Sequence, residues 1–305
     1  MEVVSASSPL GVARGRRLVP HLSAPPLPPL AVARRPGAPP PLAPRRRARG
    51  GGVHPSPPRT NARALALARA GAEAGLVVVA AEQSAGRGQR GRAWFSPAGA
   101  GLYASFLLRP SLSPRLAPAL TLVAGVAAHE ALSRFIDAPG VLGLRWPNDL
   151  VVAAPGPHYG KKVAGILVEA SADHQRIEHA VIGVGVNLTA AAYPAALAPA
   201  AAALADLGAS APALAEVLAA LANQLEAAFE EAEASGLGPA AARWTAAAIG
   251  LGQTVEVTDE RRFFRGRLLG IAEDGALRID AGEEVHTVYR GDVVLPSAPK
   301  GPRVF

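Results

Sequence analysis

The spacing of the strand-like runs constrains this chain more than any other feature. After residue 253, five short β-rich runs follow one another closely, at 254–258, 263–271, 276–280, 284–289 and 293–295. Little more than turn residues separates them, with Asp274-Gly275 the clearest hairpin signal. Between residues 60 and 248 the pattern is different. Strand-length runs at 76–82, 102–108, 163–170 and 179–187 alternate with helical spacing at 60–72, 115–135, 212–235 and 239–248. The two regimes predict an α+β domain over 56–249 and a small β-barrel over 250–297, with 298–305 as a tail.

The first 55 residues belong to neither regime. The chain has a formal net charge of +7, and this charge is unevenly placed. Residues 1–60 hold ten arginines and one acid, Glu2, which leaves 21 basic and 23 acidic residues for the remainder. A proline-, alanine- and arginine-rich segment of this kind buries too little apolar surface to order itself, so a disordered leader is expected. A start site placed too far upstream gives the same composition. A transit peptide fits the arginines but not the prolines, and a nucleic-acid arm would bind only weakly and with strong salt dependence. No helical periodicity precedes Thr60, so specific DNA binding is not expected. Cysteine is absent, which excludes thiol catalysis and thiolate metal sites and fits the cytoplasm. No uninterrupted apolar stretch has the length and bulk of a membrane span, so no membrane association is expected.

Chemistry concentrates in three segments. Gly86-Arg87-Gly88-Gln89-Arg90-Gly91-Arg92 places three glycines and three arginines just after an apolar run. Glycine allows close backbone approach to a ligand, and arginine offers a planar, permanently charged fork, so the segment reads as an anion-binding loop. Arg145-Trp146-Pro147-Asn148-Asp149 is followed by Lys161-Lys162-Val163-Ala164-Gly165-Ile166-Leu167-Val168-Glu169, and then comes Gly183-Val184-Gly185-Val186-Asn187. By itself an Asn-Asp pair after a strand is a turn or cap, and a lone basic loop is as readily a solvated turn.

These three segments, in this order, closely resemble the catalytic domain of biotin–protein ligases, over about residues 60–295. The resemblance implies a mixed-sheet biotin/lipoate-ligase-like catalytic domain with a C-terminal SH3-like barrel. It also implies a two-step reaction, in which biotin and ATP form biotinyl-5′-AMP and biotin then passes to a lysine of a biotin carboxyl carrier protein or carboxylase subunit. By the same resemblance, Lys162, Arg87 and Asp149 carry catalysis. Lys162 and Arg87 meet the biotin carboxyl and α-phosphate, and Asp149 orients or deprotonates the incoming amine. Thr60, Asn61 and Gln83 match the residues for the biotin head group. Gly86, Gly165 and Gly183 give room for the bicycle and acyl chain. Arg90, Arg92, Asn148 and Asn187 fall on the ATP side. Magnesium is expected with ATP, and no permanent metal site is implied. A homodimer is left open.

This chemistry agrees with the residue types, because joining a carboxylate to a phosphate requires charge neutralisation and in-line positioning. Two positions depart from the family pattern. Gln89 stands where arginine is common, which weakens the retention of the reactive adenylate. Arg59 stands where serine usually precedes Thr-Asn. Lys161 matches no fixed position and reads as a surface lysine, and Trp146 reads as a core aromatic. The alternatives are a lipoate–protein ligase, which shares the fold, and a non-catalytic biotin-binding regulatory protein in which Arg59 and Gln89 mark lost catalysis.

Overall fold

The computed structural model describes residues 2–3, 58–189, 193–208, 212–259 and 262–295. Apart from Glu2–Val3, the expected leader lies outside the described residues, as does the tail from 296 onward.

Among the described residues seven strands form the first sheet: β1 (Glu2–Val3), β2 (Val77–Ala80), β3 (Gly101–Leu108), β4 (Leu142–Arg145), β5 (Asp149–Val152), β6 (Lys162–Ala172) and β7 (Ile177–Asn187). Their order is β1-β2-β3-β7-β6-β5-β4, and each ladder is antiparallel. Among the described residues, parallel pairing enters only at the isolated bridges Leu144–Ala248 and Lys162–Ala201. Strand β5 was not expected from the sequence. The turn Trp146-Pro147-Asn148, with a cis bond before Pro147, returns the chain directly into it.

Helices cover both faces: α1 (Thr60–Arg69), α2 (Leu120–Ser133), α3 (Leu214–Ser235) and α4 (Gly238–Ala247). Strand periodicity decides which residue meets which helix. On β3 and β7, Leu102, Ala104, Phe106, Ile182, Val184 and Val186 join the large core under α2–α4. Leu107 and Val181, one position out of phase, join a smaller core with Ala64 and Ala68 of α1. Each large aliphatic or aromatic side chain so buried contributes roughly 1.5–3 kcal/mol.

The helix expected over 115–135 is divided. Residues Pro114–Ala119 form a 3-10 segment that contains Pro118, and the α-helix begins at Leu120. Proline lacks the N–H that an α-helix interior needs, so the tighter turn takes its place there. Helix α2 is apolar on nearly all sides because it lies between the sheet and α3 and α4. The whole stretch Pro114–Ser133 has membrane-span length and a mean hydropathy of 1.3, yet it is mostly buried within the fold. That makes it a core element.

The C-terminal runs become β8 (Thr254–Thr258), β9 (Phe263–Ile271), β10 (Leu277–Asp280), β11 (Val285–Val288) and β12 (Asp292–Val294), in the order β11-β10-β9-β8-β12. The Asp274-Gly275 turn forms as its residues predict, with Gly275 at φ +85°. Strand β9 is long enough for one part to pair with β8 and another with β10, and the Phe264 and His286 rings meet at 4.7 Å. The result is an antiparallel, SH3-like sheet, although no ladder joins β11 to β12 among the described residues.

Candidate active site

On the α1 side of the first sheet, the residues opposite the large core are unusually small. Gly165 on β6 pairs with Gly185 on β7, and Gly183 pairs with Leu167 on β6 and Ser105 on β3. Any side chain here would collide with what lies above it. A Cβ on Gly185 would stand 2.5 Å from the Trp94 indole, and one on Gly183 would stand 2.2 Å from Asn61 Oδ1. The glycines therefore make a flat floor, and Trp94, Tyr103 and the start of α1 stand over it.

A polar network closes one end of this cavity. Gln83 Oε1 accepts from the Thr60 backbone N–H at 2.9 Å and from its hydroxyl at 3.3 Å, while Gln83 Nε2 donates to Ser96 Oγ at 2.9 Å. Asn61 Nδ2 donates to Glu169 Oε2 at 2.8 Å and to the Leu167 carbonyl at 3.2 Å. The Ser105 hydroxyl lies 2.5 Å from Asn61 Oδ1 and 2.8 Å from Thr60 Oγ1. Buried polar groups of this kind are costly unless paired, and here each has a partner within the fold. Burial pushes the Tyr103 phenol up to about 12. It stays neutral and donates to the Pro97 carbonyl at 3.0 Å.

The charged centre lies at the other end. Lys162 is 5% exposed, and its Nζ sits 2.5 Å from Asp149 Oδ1 and 5.1 Å from the Trp94 ring centroid. Arg145 Nη2 holds the other carboxylate oxygen at 2.8 Å. Burial alone would raise Asp149, but Lys162 and Arg145 together hold it below the ordinary carboxylate range. Burial lowers Lys162, with Arg145 and Arg92 adding to the effect, and Asp149 opposes it. The backbone of Lys162 is fixed by the Ala200 carbonyl and the Ala202 N–H, at 2.7 and 2.9 Å.

The basic loop is a small ribbon. Arg87 bridges Ala93, Gly88 N–H bonds the Arg92 carbonyl at 2.8 Å, and Gln89–Gly91 forms the tip. Arg90 has φ +57°, and it is the only non-glycine in the left-handed region among the described residues. That conformation costs about 1–2 kcal/mol. Arg90 and Arg92 both bond Asp292 of β12, at 2.8–2.9 Å.

Most of the residues singled out from the sequence converge. Thr60, Asn61, Gln83, Arg87, Asn148, Lys162, Gly165 and Gly183 line one cavity, and Arg59 lines it too. Asp149 touches it through Lys162, and Gly86 sits behind the loop, where a Cβ would meet the Trp94 carbonyl at 2.5 Å. Asn148 Nδ2 donates to the Ile166 carbonyl at 2.6 Å. Besides Asp149 and Gly86, three more of these residues stand outside the cavity lining. Arg90 and Arg92 face the C-terminal sheet, and the Asn187 amide is used on the Lys162 and Ala202 carbonyls, at 3.2 and 3.0 Å.

Residues 55–187 match the Biotin/lipoate A/B protein ligase family, and residues 250–295 match the Biotin protein ligase C terminal domain. The Biotin--[acetyl-CoA-carboxylase] ligase of Mycobacterium tuberculosis is 35% identical over 243 residues, which is 77% of this chain and 85% of that protein. The Bifunctional ligase/repressor BirA of Bacillus subtilis is 31% identical over 75% of this chain and 69% of its own length.

The chain belongs to the biotin–protein ligase family.

A solved structure of the Aquifex aeolicus ligase in complex with biotin and ATP superimposes with a TM-score of 0.65 at 27% identity, covering 78% of this chain and 94% of that one. In the present ligase, several residues of the site were missed from sequence. Ser105, a hydroxyl inside the apolar run of β3, was detectable as the polar residue on the glycine-facing side. Glu169 and Arg145 sit in quoted segments and gain meaning only once their partners Asn61 and Asp149 are in place. Asp292 gave no signal, being 200 residues from Arg92.

Proposed function

We propose that this ligase condenses biotin with ATP to biotinyl-5′-AMP and then biotinylates one lysine of a biotin carboxyl carrier domain, that of acetyl-CoA carboxylase being the first candidate. The observation that carries the reading is the buried Lys162 at the end of a glycine-floored cavity whose far end is a closed amide and hydroxyl network. The ureido head takes the places of the Thr60–Asn61–Gln83–Ser105 contacts, and the acyl chain lies over Gly165 and Gly183. The carboxylate thereby reaches Lys162 and Arg87.

In the first step the biotin carboxylate oxygen attacks the α-phosphorus and pyrophosphate leaves. Lys162 and Arg87 offset the repulsion between the two anions, an electrostatic effect strongest in a dry site. Arg90, Arg92 and Asn148 serve the nucleotide. Asn187 supports this side indirectly, by fixing the Lys162 backbone. Magnesium carried by the ATP phosphates would offset part of their charge. Among the described residues no cluster of three or more acidic or histidine side chains gathers to hold it separately. In the second step the carrier lysine, as the free amine, attacks the activated carbonyl and AMP leaves. The ionised Asp149 orients this amine and accepts its proton.

The test is incubation of the protein and ATP with either biotin or lipoate and a carrier domain, read by mass. Biotin-dependent labelling at one lysine is expected. Lipoate labelling would support the alternative substrate, and no labelling with intact biotin binding would support a regulatory protein.

A further inference from the structure

The loop Gly86–Arg92 carries three cations and no acid, and its charge is met from the other domain. Asp292 opens β12, where it pairs with Thr258 of β8, so its backbone belongs to the C-terminal sheet. Its two oxygens meet a single nitrogen of Arg92, Nη2, at 2.8 Å each, and Oδ2 also meets Arg90 Nη1 at 2.9 Å. The contact is one-sided. It leaves Nε and Nη1 of Arg92 outside it, and a guanidinium presents five donors in a fixed plane. The two arginines are therefore oriented by Asp292 while keeping donors for a second anion. Through Arg87 and Gly88 the same loop reaches the lining of the cavity that holds Lys162. Gln89 and Arg90 further share a groove with Asp274, Tyr289 and Arg290 of the C-terminal domain, which places this contact at the domain junction.

We propose that Asp292 is a positioning residue for the nucleotide: from the C-terminal sheet it holds Arg90 and Arg92 in the orientation in which they receive the phosphates of ATP. This rests on the reading of Arg90 and Arg92 as ATP residues given above. The physical advantage is preorganisation. Two long side chains on a glycine-rich loop otherwise lose their rotamer freedom when ATP binds, and Asp292 removes that loss from the binding step. It also explains how a sheet that contributes nothing to the cavity lining serves the first step.

The test uses the full chain and its Asp292→Asn, Asp292→Glu and Arg92→Ala forms, with pyrophosphate release measured against ATP and against biotin. Asp292→Asn should raise KM for ATP by about tenfold, the size of one charge-assisted contact. KM for biotin should stay within twofold, and Asp292→Glu should recover most of the loss. Trypsin should also cut the loop arginines of Asp292→Asn faster in the absence of ATP. If Arg92→Ala raises KM for ATP and Asp292→Asn does not, the positioning role is wrong. A lower KM in Asp292→Asn would equally overturn it, because Asp292 would then be competing with phosphate. If Arg92→Ala itself leaves KM for ATP unchanged, the assignment of Arg92 to ATP is what fails.

Discussion

Lys162 Nζ lies 2.5 Å from Asp149 Oδ1, and Arg145 holds the opposite oxygen of the same carboxylate at 2.8 Å. One buried carboxylate thus anchors two cations on the sheet face where biotin is proposed to react. An isolated buried ion is costly, and an Arg–Asp–Lys triad is tolerable because each charge has a partner. Proposed binding of a biotin carboxylate beside Lys162 then adds an anion to a triad that carries two cations and one carboxylate, with Arg87 as a further cation for the phosphate. The lowered Asp149 remains ionised at neutral pH and so is able to accept a hydrogen bond from the amine in the proposed second step, although the lowering makes it a weaker base.

Replacing Lys162 tests this directly. Lys162→Ala is expected to raise the adenylation barrier by about 2–4 kcal/mol, because its charge is used as the two anions meet. Pyrophosphate release followed with saturating biotin is the measurement. A rate equal to that of the parent would remove Lys162 from the first step.

The glycine floor makes a steric prediction. A Cβ at Gly183 would stand 2.2 Å from Asn61 Oδ1, so Gly183→Ala must displace the Asn61 side chain from Ser105, Leu167 and Glu169. Biotin affinity by calorimetry should fall by at least about tenfold, the loss of one or two buried polar contacts. Gly125→Ala is the control. Its nearest neighbour would be 3.7 Å away, and alanine favours a helix, so stability should hold or rise by up to about 1 kcal/mol.

Gln89 sits at the loop tip, where its carbonyl accepts from Arg92 N–H at 3.2 Å. A neutral amide there retains an adenylate less firmly than a guanidinium. Loss of one charge-assisted bond of about 1.5–3 kcal/mol speeds escape by on the order of tenfold, although neighbouring arginines offset part of this. The natural protein should therefore label bystander lysines measurably, and Gln89→Arg should do so less. Mass spectrometry on a mixture of carrier and bystander proteins is the readout, and equal labelling by both forms would exclude a retention role.

His179, buried at the far end of β7, gives a pH prediction. Burial lowers its pKa below 6.5, Arg109 and Arg69 lower it further, and Glu178 opposes them. Between the lowered folded value and 6.5, the unfolded chain binds the proton that the folded chain refuses, so stability rises with pH across that window. The contribution is complete above 6.5 and is lost as the pH falls towards the folded value. Melting temperature measured from pH 8 to pH 5 should therefore fall less in His179→Gln than in the parent. Parallel curves would show that His179 titrates normally.

Much of the fold is legible in the sequence. The five C-terminal runs read from sequence fall within two residues of β8–β12, because turn chemistry and strand alternation act over a few residues. The three motif segments each contribute a contiguous stretch of strand or loop to the cavity lining, while Thr60, Asn61, Gln83, Trp94 and Tyr103 reach it from elsewhere in the chain. The reading was weaker where the deciding partner is distant or the element is short. The four-residue strand β5 was hidden inside an Asn-Asp turn signal, and a single proline converted the start of the long helix into a 3-10 turn.

The sequence by itself determined most of the element types, the order of the two strand regimes and the placing of Gly183 and Gly185 on one face of β7, since alternation is a property of the chain, whereas the β6–β7 register put Gly165 on that same face. Tertiary structure decided what those glycines meet, which carboxylate each cation takes, and that Asp292 reaches across to the loop. Ion pairs and buried amide networks depend on distances between segments up to 202 residues apart, and no local pattern encodes those distances.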